Sequence, residues 1–226
     1  MVDDMTKTRP HGHDRRPSRS YRQARRAQQA QATGDRIVDT ALAVVKTAPR
    51  VAAITLDEIA RRSNVAVRTV LRRFGSRDGV LEAAFARIKA EFQSHHAPAA
   101  PGDVDEALKI LLDQYERLGD LNIKALEQEH QLPLLHRALT EARQLHRDRL
   151  RTTFGTQLQR FAPAERERRL TALYAATDVY LWKLLRRDLN LDRPQTEATF
   201  SRLVQGVLTS PDRIRSQGRH QGVRSI

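Results

Sequence analysis

The sequence lacks cysteine altogether, and aromatic residues make up only 5% of its 226 residues. Without cysteine there can be no disulfide bond, no zinc–thiolate site and no cysteine nucleophile. The lack of disulfides fits a reducing compartment, and we expect a cytoplasmic protein. No apolar run approaches the roughly 18 residues that a membrane-spanning helix needs, so we expect no membrane contact. The polar N-terminus has no apolar h-region, so we also expect no signal peptide.

Catalytic motifs are also missing from the sequence. It contains no glycine-rich phosphate loop, no nucleophile elbow, no HExxH motif and no carboxylate pair in a recognisable catalytic frame. His130 and His136 are six residues apart with Pro133 between them, which is not the spacing of a helical metal site. The sequence therefore predicts a protein that is not an enzyme and that uses no cofactor or metal.

Positive charge is abundant and unevenly distributed, with a formal net charge of +13. Residues 1–33 hold 8 Lys or Arg against 3 Asp or Glu, and residues 34–94 hold 11 against 7. Residues 95–209 are nearly neutral, with 17 against 16, and the tail 210–226 holds 4 against 1. A basic part beside a neutral body is expected when only one part binds a polyanion such as DNA.

The segment 54–81 has the pattern of a helix-turn-helix that leads directly into another helix. Thr55 is a candidate N-cap, and Glu58 is spaced to complete a capping box. Asn64 lies where the helical pattern is interrupted, and asparagine tolerates the positive φ of a tight turn. The short helix that follows, Ala66 to Phe74, carries three arginines on its polar side. A short helix of this kind, held by the preceding helix, can enter a major groove.

Helical periodicity continues to the end of the body, without the alternation typical of strands. We expect a helix from Asp103 to Leu118 that Gly119 ends, and a second from Leu121 to Gln131. Two long helices follow, Leu134 to Phe161 and Ala164 to Arg187, and the last runs from Arg193 to about Thr209. The predicted fold class is all-α, with an N-terminal three-helix DNA-binding domain and a C-terminal helical bundle.

The expected division of the chain has four parts. Residues 1–33 are expected to be a disordered basic arm, which could enter a minor groove or be only a solvated tail. Residues 34–80 form the helix-turn-helix domain, and residues 81–209 form the body, with a Pro/Ala/Gly linker near 97–102. Residues 210–226 are expected to be a disordered basic tail.

Residues 55–81, TLDEIARRSNVAVRTVLRRFGSRDGVL, resemble the N-terminal pattern of the TetR family of bacterial transcription regulators. The positions that match are Thr55, Ile59, Ala60, Val65, Thr69, Phe74, Arg77, Asp78 and Leu81. The positions that differ are Asn64, Ala66 and Leu71, where the family has glycine, serine and tyrosine. The resemblance implies a cytoplasmic, nucleoid-associated repressor that binds a roughly palindromic operator as a homodimer and leaves it when a small effector binds.

The resemblance also implies which residues contact DNA. Val67, Arg68 and Thr69 would face the base edges, with Arg68 as the candidate for guanine recognition. The full set of expected DNA contacts is Thr55, Val67, Arg68, Thr69, Leu71, Arg72, Arg73 and Arg77. Thr55 and Arg77 would bind phosphates beside helix N-termini, and Arg72 and Arg73 could compensate for the missing family tyrosine at Leu71.

Two further sites in the body follow from the resemblance. The expected dimer interface on the last two helices contains Leu173, Tyr180, Leu184, Phe200, Leu203 and Val207. The expected effector pocket contains Tyr115, His130, His136, Arg143, Asp178 and Trp182. An architectural nucleic-acid-binding protein without ligand control is the alternative, because it would explain the basic N-terminal arm and tail equally well.

Overall fold

The computed structural model describes residues 19–94 and 99–211, which form helices and no strand. In chain order these are α1 (Arg19–Thr47), α2 (Leu56–Arg62), α3 (Val67–Phe74), α4 (Arg77–Ser94), α5 (Val104–Glu127), α6 (Pro133–Leu158), α7 (Pro163–Ala176), α8 (Val179–Lys183) and α9 (Arg193–Thr209). Short 3-10 turns lie at Val51–Ala53 and Glu129–Gln131, and a π-helical turn at Leu184–Asp188 continues α8. The all-α prediction is confirmed. Three parts of the expected division lie outside the described residues: the arm before residue 19, the start of the linker and the tail beyond residue 211.

The first hydrophobic core joins α1 to α4 into an N-terminal unit. Ile37 of α1, Ile59 of α2, Val70 of α3 and Leu81 of α4 are all fully buried in it. Leu134 and Leu135, at the start of α6, belong to the same core. The N-terminal unit is therefore packed directly onto the body.

The second core lies within the body, between α5, α6, α7, α8 and α9. Its largest fully buried side chains are Leu112, Phe154, Leu170, Leu173, Trp182 and Phe200. No helix in the described ranges is long and apolar enough to cross a membrane.

The first helix differs from the expected disordered arm, because α1 begins at Arg19 and runs unbroken to Thr47. The prediction of disorder is wrong for residues 19–33. Residues 23–32 are mostly Ala, Gln and Arg, which have high helix propensity. Adding turns to a helix that tertiary packing already holds needs no new nucleation, so the buried half of α1 supports the exposed half.

The predicted break at Gly119 is also wrong, since α5 runs through it from Val104 to Glu127. Gly119 is buried, and a Cβ atom there would overlap the indole ring of Trp182. Trp182 donates from Nε1 to Glu116 Oε1 at 3.1 Å, one turn earlier on α5. The glycine allows the close approach of a large ring and does not end the helix.

The predicted helix from Ala164 to Arg187 is divided in two at Thr177 and Asp178. Asp178 has extended backbone geometry and caps α8 by accepting a hydrogen bond from the Tyr180 amide at 2.9 Å. The hydroxyl of Tyr115 donates to the Thr177 carbonyl at 2.8 Å. In a continuous helix the Thr177 carbonyl would accept from a backbone amide one turn later. Here it accepts from Tyr115 of α5 instead, and this contact stabilises the break between α7 and α8.

Helix ends elsewhere follow the sequence signals closely. Asp192 caps α9 and forms a reciprocal capping box with Gln195. Ser76 accepts from the Gly79 amide at 3.0 Å before α4. The predicted start of the last helix at Arg193 is confirmed.

Candidate nucleic-acid interface and effector cavity

The turn between α2 and α3 is held rigidly by local hydrogen bonds. Thr55 Oγ1 accepts from the Glu58 amide at 3.2 Å and caps α2, whereas the Glu58 carboxylate pairs with Arg62 at 3.1 Å. Ser63 is buried, and its hydroxyl donates to the Ile59 carbonyl at 2.6 Å. Asn64 follows with a φ of 53°, the left-handed conformation predicted for it. These contacts fix the angle between the two helices.

α3 has one face in the core and one face in solvent. Val70 is fully buried, and Val67 and Phe74 pack against the first core. Arg68 and Leu71 lie on the exposed side, and Leu71 is 40% exposed. An exposed leucine between arginines is suited to an apolar contact in a DNA groove, such as a thymine methyl group.

The arginines of α3 differ in their partners. Arg68 and Arg72 make no ion pair with any residue in the described ranges. Arg73 donates from Nη2 to Gln31 Oε1 of α1 at 3.3 Å, and a Cβ atom on the buried Gly34 would overlap its guanidinium group. Arg68 and Arg72 are thus available to an external anion, while Arg73 is held against α1.

Arg77, at the start of α4, is also partly engaged within the protein. It donates to Asp78 Oδ1 at 2.8 Å and to the Ala52 carbonyl at 3.2 Å. Its side chain is 29% exposed, so a phosphate contact from this residue would compete with Asp78.

A rigid turn, an exposed helix of eight residues and unpaired guanidinium groups define a helix-turn-helix DNA-binding protein. Residues 51–84 match the family model of bacterial regulatory proteins, tetR family. This match supports membership of the family and a role as a DNA-binding transcription regulator. No curated protein matches the chain significantly.

A cavity of about 640 Å³ lies between the N-terminal unit and the body. Val45 of α1 and Phe85, Ile88 and Lys89 of α4 form one wall. The opposite wall comes from α5, α6 and the start of α8, and its lining residues include Leu111, Tyr115, Asn122, Ala138, His146, Arg149, Asp178 and Tyr180. The volume is typical of sites for small organic molecules.

Several of the polar groups of the cavity lie close to the start of α8. His146 Nε2 lies 3.0 Å from Thr177 Oγ1, and burial lowers the pKa of His146 to about 4, so the imidazole is neutral at pH 7. Burial raises the pKa of Asp178 and, more strongly, that of Tyr115. Most of the remaining lining is aliphatic or aromatic, which suits a largely apolar molecule with few polar groups.

Three of the six expected pocket residues line this cavity, namely Tyr115, Arg143 and Asp178. The other three do not. Trp182 is fully buried in the second core, and His130 and His136 are exposed on the surface. Within residues 19–94 and 99–211 no three His, Asp or Glu side chains are grouped as a metal site requires.

His146, Arg149 and Tyr174 line the cavity but were not predicted from the sequence. The spacing of Ala138, Ala142, Leu145, His146 and Arg149 on α6 follows one helix face. That periodicity was present in the sequence, but it does not tell a cavity wall from a core contact.

The 3-10 turn between α5 and α6 connects the cavity to the N-terminal unit. Arg143, a lining residue, donates to both Glu129 oxygens at 2.7 and 2.5 Å. The Arg143 guanidinium lowers the pKa of the largely buried Glu129 to about 2. Next to Glu129, Gln128 accepts from the Val51 amide at 2.8 Å, in the 3-10 turn that precedes α2. Arg143 is thus connected by hydrogen bonds and the chain segment 128–129 to the 3-10 turn before the helix-turn-helix.

The expected dimer-interface residues fall into two groups. Leu173 and Phe200 are fully buried in the second core, so their prediction as interface residues is wrong. Val207 packs partly against that core. Tyr180, Leu184 and Leu203 are 57%, 45% and 42% exposed. The helical stripe on α9 was recognised, but the sequence could not tell its inner side from its outer side.

Proposed function

We propose that the chain is a homodimeric repressor that binds a roughly palindromic operator and leaves it when a small effector occupies the cavity. The observation that carries this proposal is the position of the cavity. It has one wall from the unit that bears the recognition helix and one wall from the body. A ligand there can favour one orientation of the N-terminal unit over another, which is the requirement for control of DNA binding.

The dimer is supported by the exposed apolar residues. Among the described residues, the exposed large hydrophobic side chains other than Leu71 are Tyr180, Leu184, Leu189 and Leu203. Tyr180 and Leu184 lie on α8 and its π-helical continuation, Leu189 follows that turn directly, and Leu203 lies on α9. Apolar side chains clustered on two neighbouring elements are typical of a protein interface. Pairing of this surface by a two-fold axis would present two recognition helices to successive major grooves, about 34 Å apart.

A double substitution, Leu184→Glu with Leu203→Glu, tests the dimer. Both side chains are nearly half exposed in the protomer, so folding should be retained. We expect light scattering to show a dimer for the wild type and a monomer for this variant, together with a loss of operator binding of at least about a hundredfold. Thr156→Glu, at an exposed position of α6, is the matched control and should remain dimeric. A monomeric wild type, with and without DNA, would rule out the proposed architecture.

DNA specificity is tested by selecting binding sites from random duplexes with the full-length protein. We expect a palindromic consensus and at least about a thousandfold preference over unrelated DNA at about 150 mM salt. Equal affinity for all duplexes would favour an architectural DNA-binding protein. A reporter gene placed behind the selected operator should be expressed less when the protein is present, whereas increased expression would identify an activator.

The effector is expected to be a largely apolar molecule, because aliphatic and aromatic residues dominate the cavity wall. Nile red, a neutral and apolar dye, is a suitable first probe. We expect its fluorescence to rise on binding and to fall when library compounds displace it. Compounds that displace the dye should then release the selected operator.

Ala138→Phe fills part of the cavity and tests whether the effector acts there. We expect this variant to bind operator normally but to lose both dye binding and the release response. Ala172→Phe, at an exposed position of α7 outside the cavity, is the control. Release that persists in Ala138→Phe would show that the effector acts from another site.

A further inference from the structure

The first half of α1 projects from the protein as an exposed helix. The described side chains from Gln23 to Ala32 are all exposed, and this stretch contains no Leu, Ile or Val. It therefore has no apolar stripe with which to pack against a protein surface. The segment for which we expected disorder is instead, from Arg19 onward, a polar extension of a helix whose second half is partly buried.

The charge of this extension is of one sign. No acidic residue occurs from Arg19 to Gly34, while the sequence places arginines at 19, 22, 25 and 26. Arg25 and Arg26 make no ion pair with any residue of the described ranges. Like charges three and four residues apart repel each other in a helix. A polyanion outside the chain would relieve this repulsion.

The direction of the extension is fixed by contacts with the helix-turn-helix. Arg36 donates from Nε to the Ser63 carbonyl at 3.0 Å, in the turn between α2 and α3. Five residues earlier, Gln31 accepts from Arg73 at 3.3 Å, and Gly34 is buried beneath the same guanidinium group. α1 thus leaves the N-terminal unit beside the C-terminal end of the recognition helix, and its exposed half is continuous with the candidate DNA interface.

We propose that residues 19–33 of α1 form a second DNA-binding element, which lies on the phosphate backbone next to the half-site that α3 occupies. This inference rests on the proposed function only in that its partner is duplex DNA. At 1.5 Å per residue the extension is about 22 Å long, which corresponds to about six base pairs. Arg73 is a positioning residue in this arrangement, because its contact with Gln31 holds the extension in register with α3.

The test compares the full-length wild type with the double variant Arg25→Gln, Arg26→Gln. Glutamine has a helix propensity close to that of arginine, so α1 should keep its length, which circular dichroism checks. Binding is measured against salt concentration on a 40-base-pair duplex of unrelated sequence and on the selected operator with long flanks. The control is the double variant Arg117→Gln, Arg168→Gln. Both arginines are exposed on the body, so the control loses the same amount of positive charge.

We expect the plot of log affinity against log salt for the dimer to become less steep by about 3.6 in the double variant, since the dimer loses four arginines and each phosphate contact contributes about 0.9. The DNA protected from hydroxyl radicals should become shorter by about six base pairs on each side of the operator. The control variant should match the wild type in both measurements. Gln31→Ala keeps every charge, yet should weaken the flanking protection because the contact with Arg73 is lost.

A double variant with the same salt dependence and the same footprint as its control would overturn the inference, even if operator binding is specific. Unchanged flanking protection in Gln31→Ala would remove the positioning role of Arg73. If the wild type shows no sequence preference but the salt dependence still falls in the double variant, the proposed function fails and the second DNA-binding element stands.

Discussion

The recognition helix α3 and the body use arginine in opposite ways. In the body, Arg143 pairs with Glu129, Arg186 with Glu116 and Arg187 with Asp120, in each case at 2.9 Å or less. On α3, in contrast, Arg68 and Arg72 have no acidic partner among the described residues. A guanidinium group with a carboxylate partner stabilises the fold, whereas one without such a partner can bind an external anion.

The body's ion pairs are fixed contacts between different parts of the chain. The Arg186 and Glu116 pair joins the π-helical continuation of α8 to α5, next to the indole of Trp182. The body is nearly neutral because its basic and acidic residues are almost equal in number, and the excess positive charge lies around the helix-turn-helix and in the tails, where it can attract DNA. The position of a charge within the fold, more than the total charge, separates a structural role from a binding role.

Among the substitutions that test this comparison, Arg68→Ala should have the largest effect, and it should act on operator preference. A bidentate arginine–guanine contact contributes about 1–3 kcal/mol of discrimination, so we expect operator preference to fall roughly 10- to 100-fold. Non-specific binding and thermal stability should change little, because Arg68 has no ion pair within the described chain. Competition gel shifts with operator and unrelated DNA measure the ratio. An unchanged ratio would mean that Arg68 does not read a base.

Glu129→Gln should affect stability instead of DNA preference. At pH 7 we expect a loss of about 2 kcal/mol in the free energy of unfolding. The folded protein lowers the pKa of Glu129 from 4.5 to about 2, and each pKa unit corresponds to about 1.4 kcal/mol. We expect less than the full product because Arg143 is partly exposed and solvent weakens the ion pair. Because the folded-state pKa is depressed, this stabilisation is present above pH 4.5 and is lost as the pH falls towards 2.

Urea unfolding of the wild type and Glu129→Gln between pH 7 and pH 3 measures this difference. We expect the gap between the two proteins to be constant above about pH 5 and to shrink below it. A gap that does not depend on pH would show that lost packing, and not the ion pair with Arg143, causes the destabilisation.

Gly119→Ala should have the smallest effect, a loss of about 1 kcal/mol. The new methyl group would overlap the rigid ring of the fully buried Trp182, and the better helix propensity of alanine offsets part of that strain. Gly155→Ala, on α6 with open space around it, is the control and should stabilise the protein slightly. Chemical denaturation measures both variants. If Gly119→Ala is as stable as its control, the packing of α5 on Trp182 is looser than described.

Much of the N-terminal unit could be predicted because its signals are local. Thr55 and Ser76 cap helices, Asn64 adopts a positive φ, and Val70 faces the core while Arg68 faces solvent. Each of these features depends on a few neighbouring residues. Arg73 and Arg77 were also predicted as DNA contacts, but Gln31 and Asp78 hold their side chains, and those contacts were not visible in the pattern.

In the body the sequence was less informative, since the deciding contacts join residues far apart in the chain. Gly119 and the pair Thr177-Asp178 are two examples in which the sequence pattern predicted the wrong helix boundary. A glycine that suggested a break lies within α5, and an apolar stretch that suggested one helix is divided in two. The contacts that decide these outcomes join Trp182 to Glu116, 66 residues away, and Tyr115 to Thr177, 62 residues away.

By itself the sequence determined that the protein is helical, that it carries a helix-turn-helix and that its positive charge is concentrated around that motif. Capping, turn conformation and helical periodicity act over a few residues, so they can be read directly from the order of amino acids. Only the tertiary structure decided which apolar residues face inward, where the cavity lies and which arginines remain without a partner. Burial and ion pairing depend on what packs against each side chain, and these neighbours are brought together only by the fold.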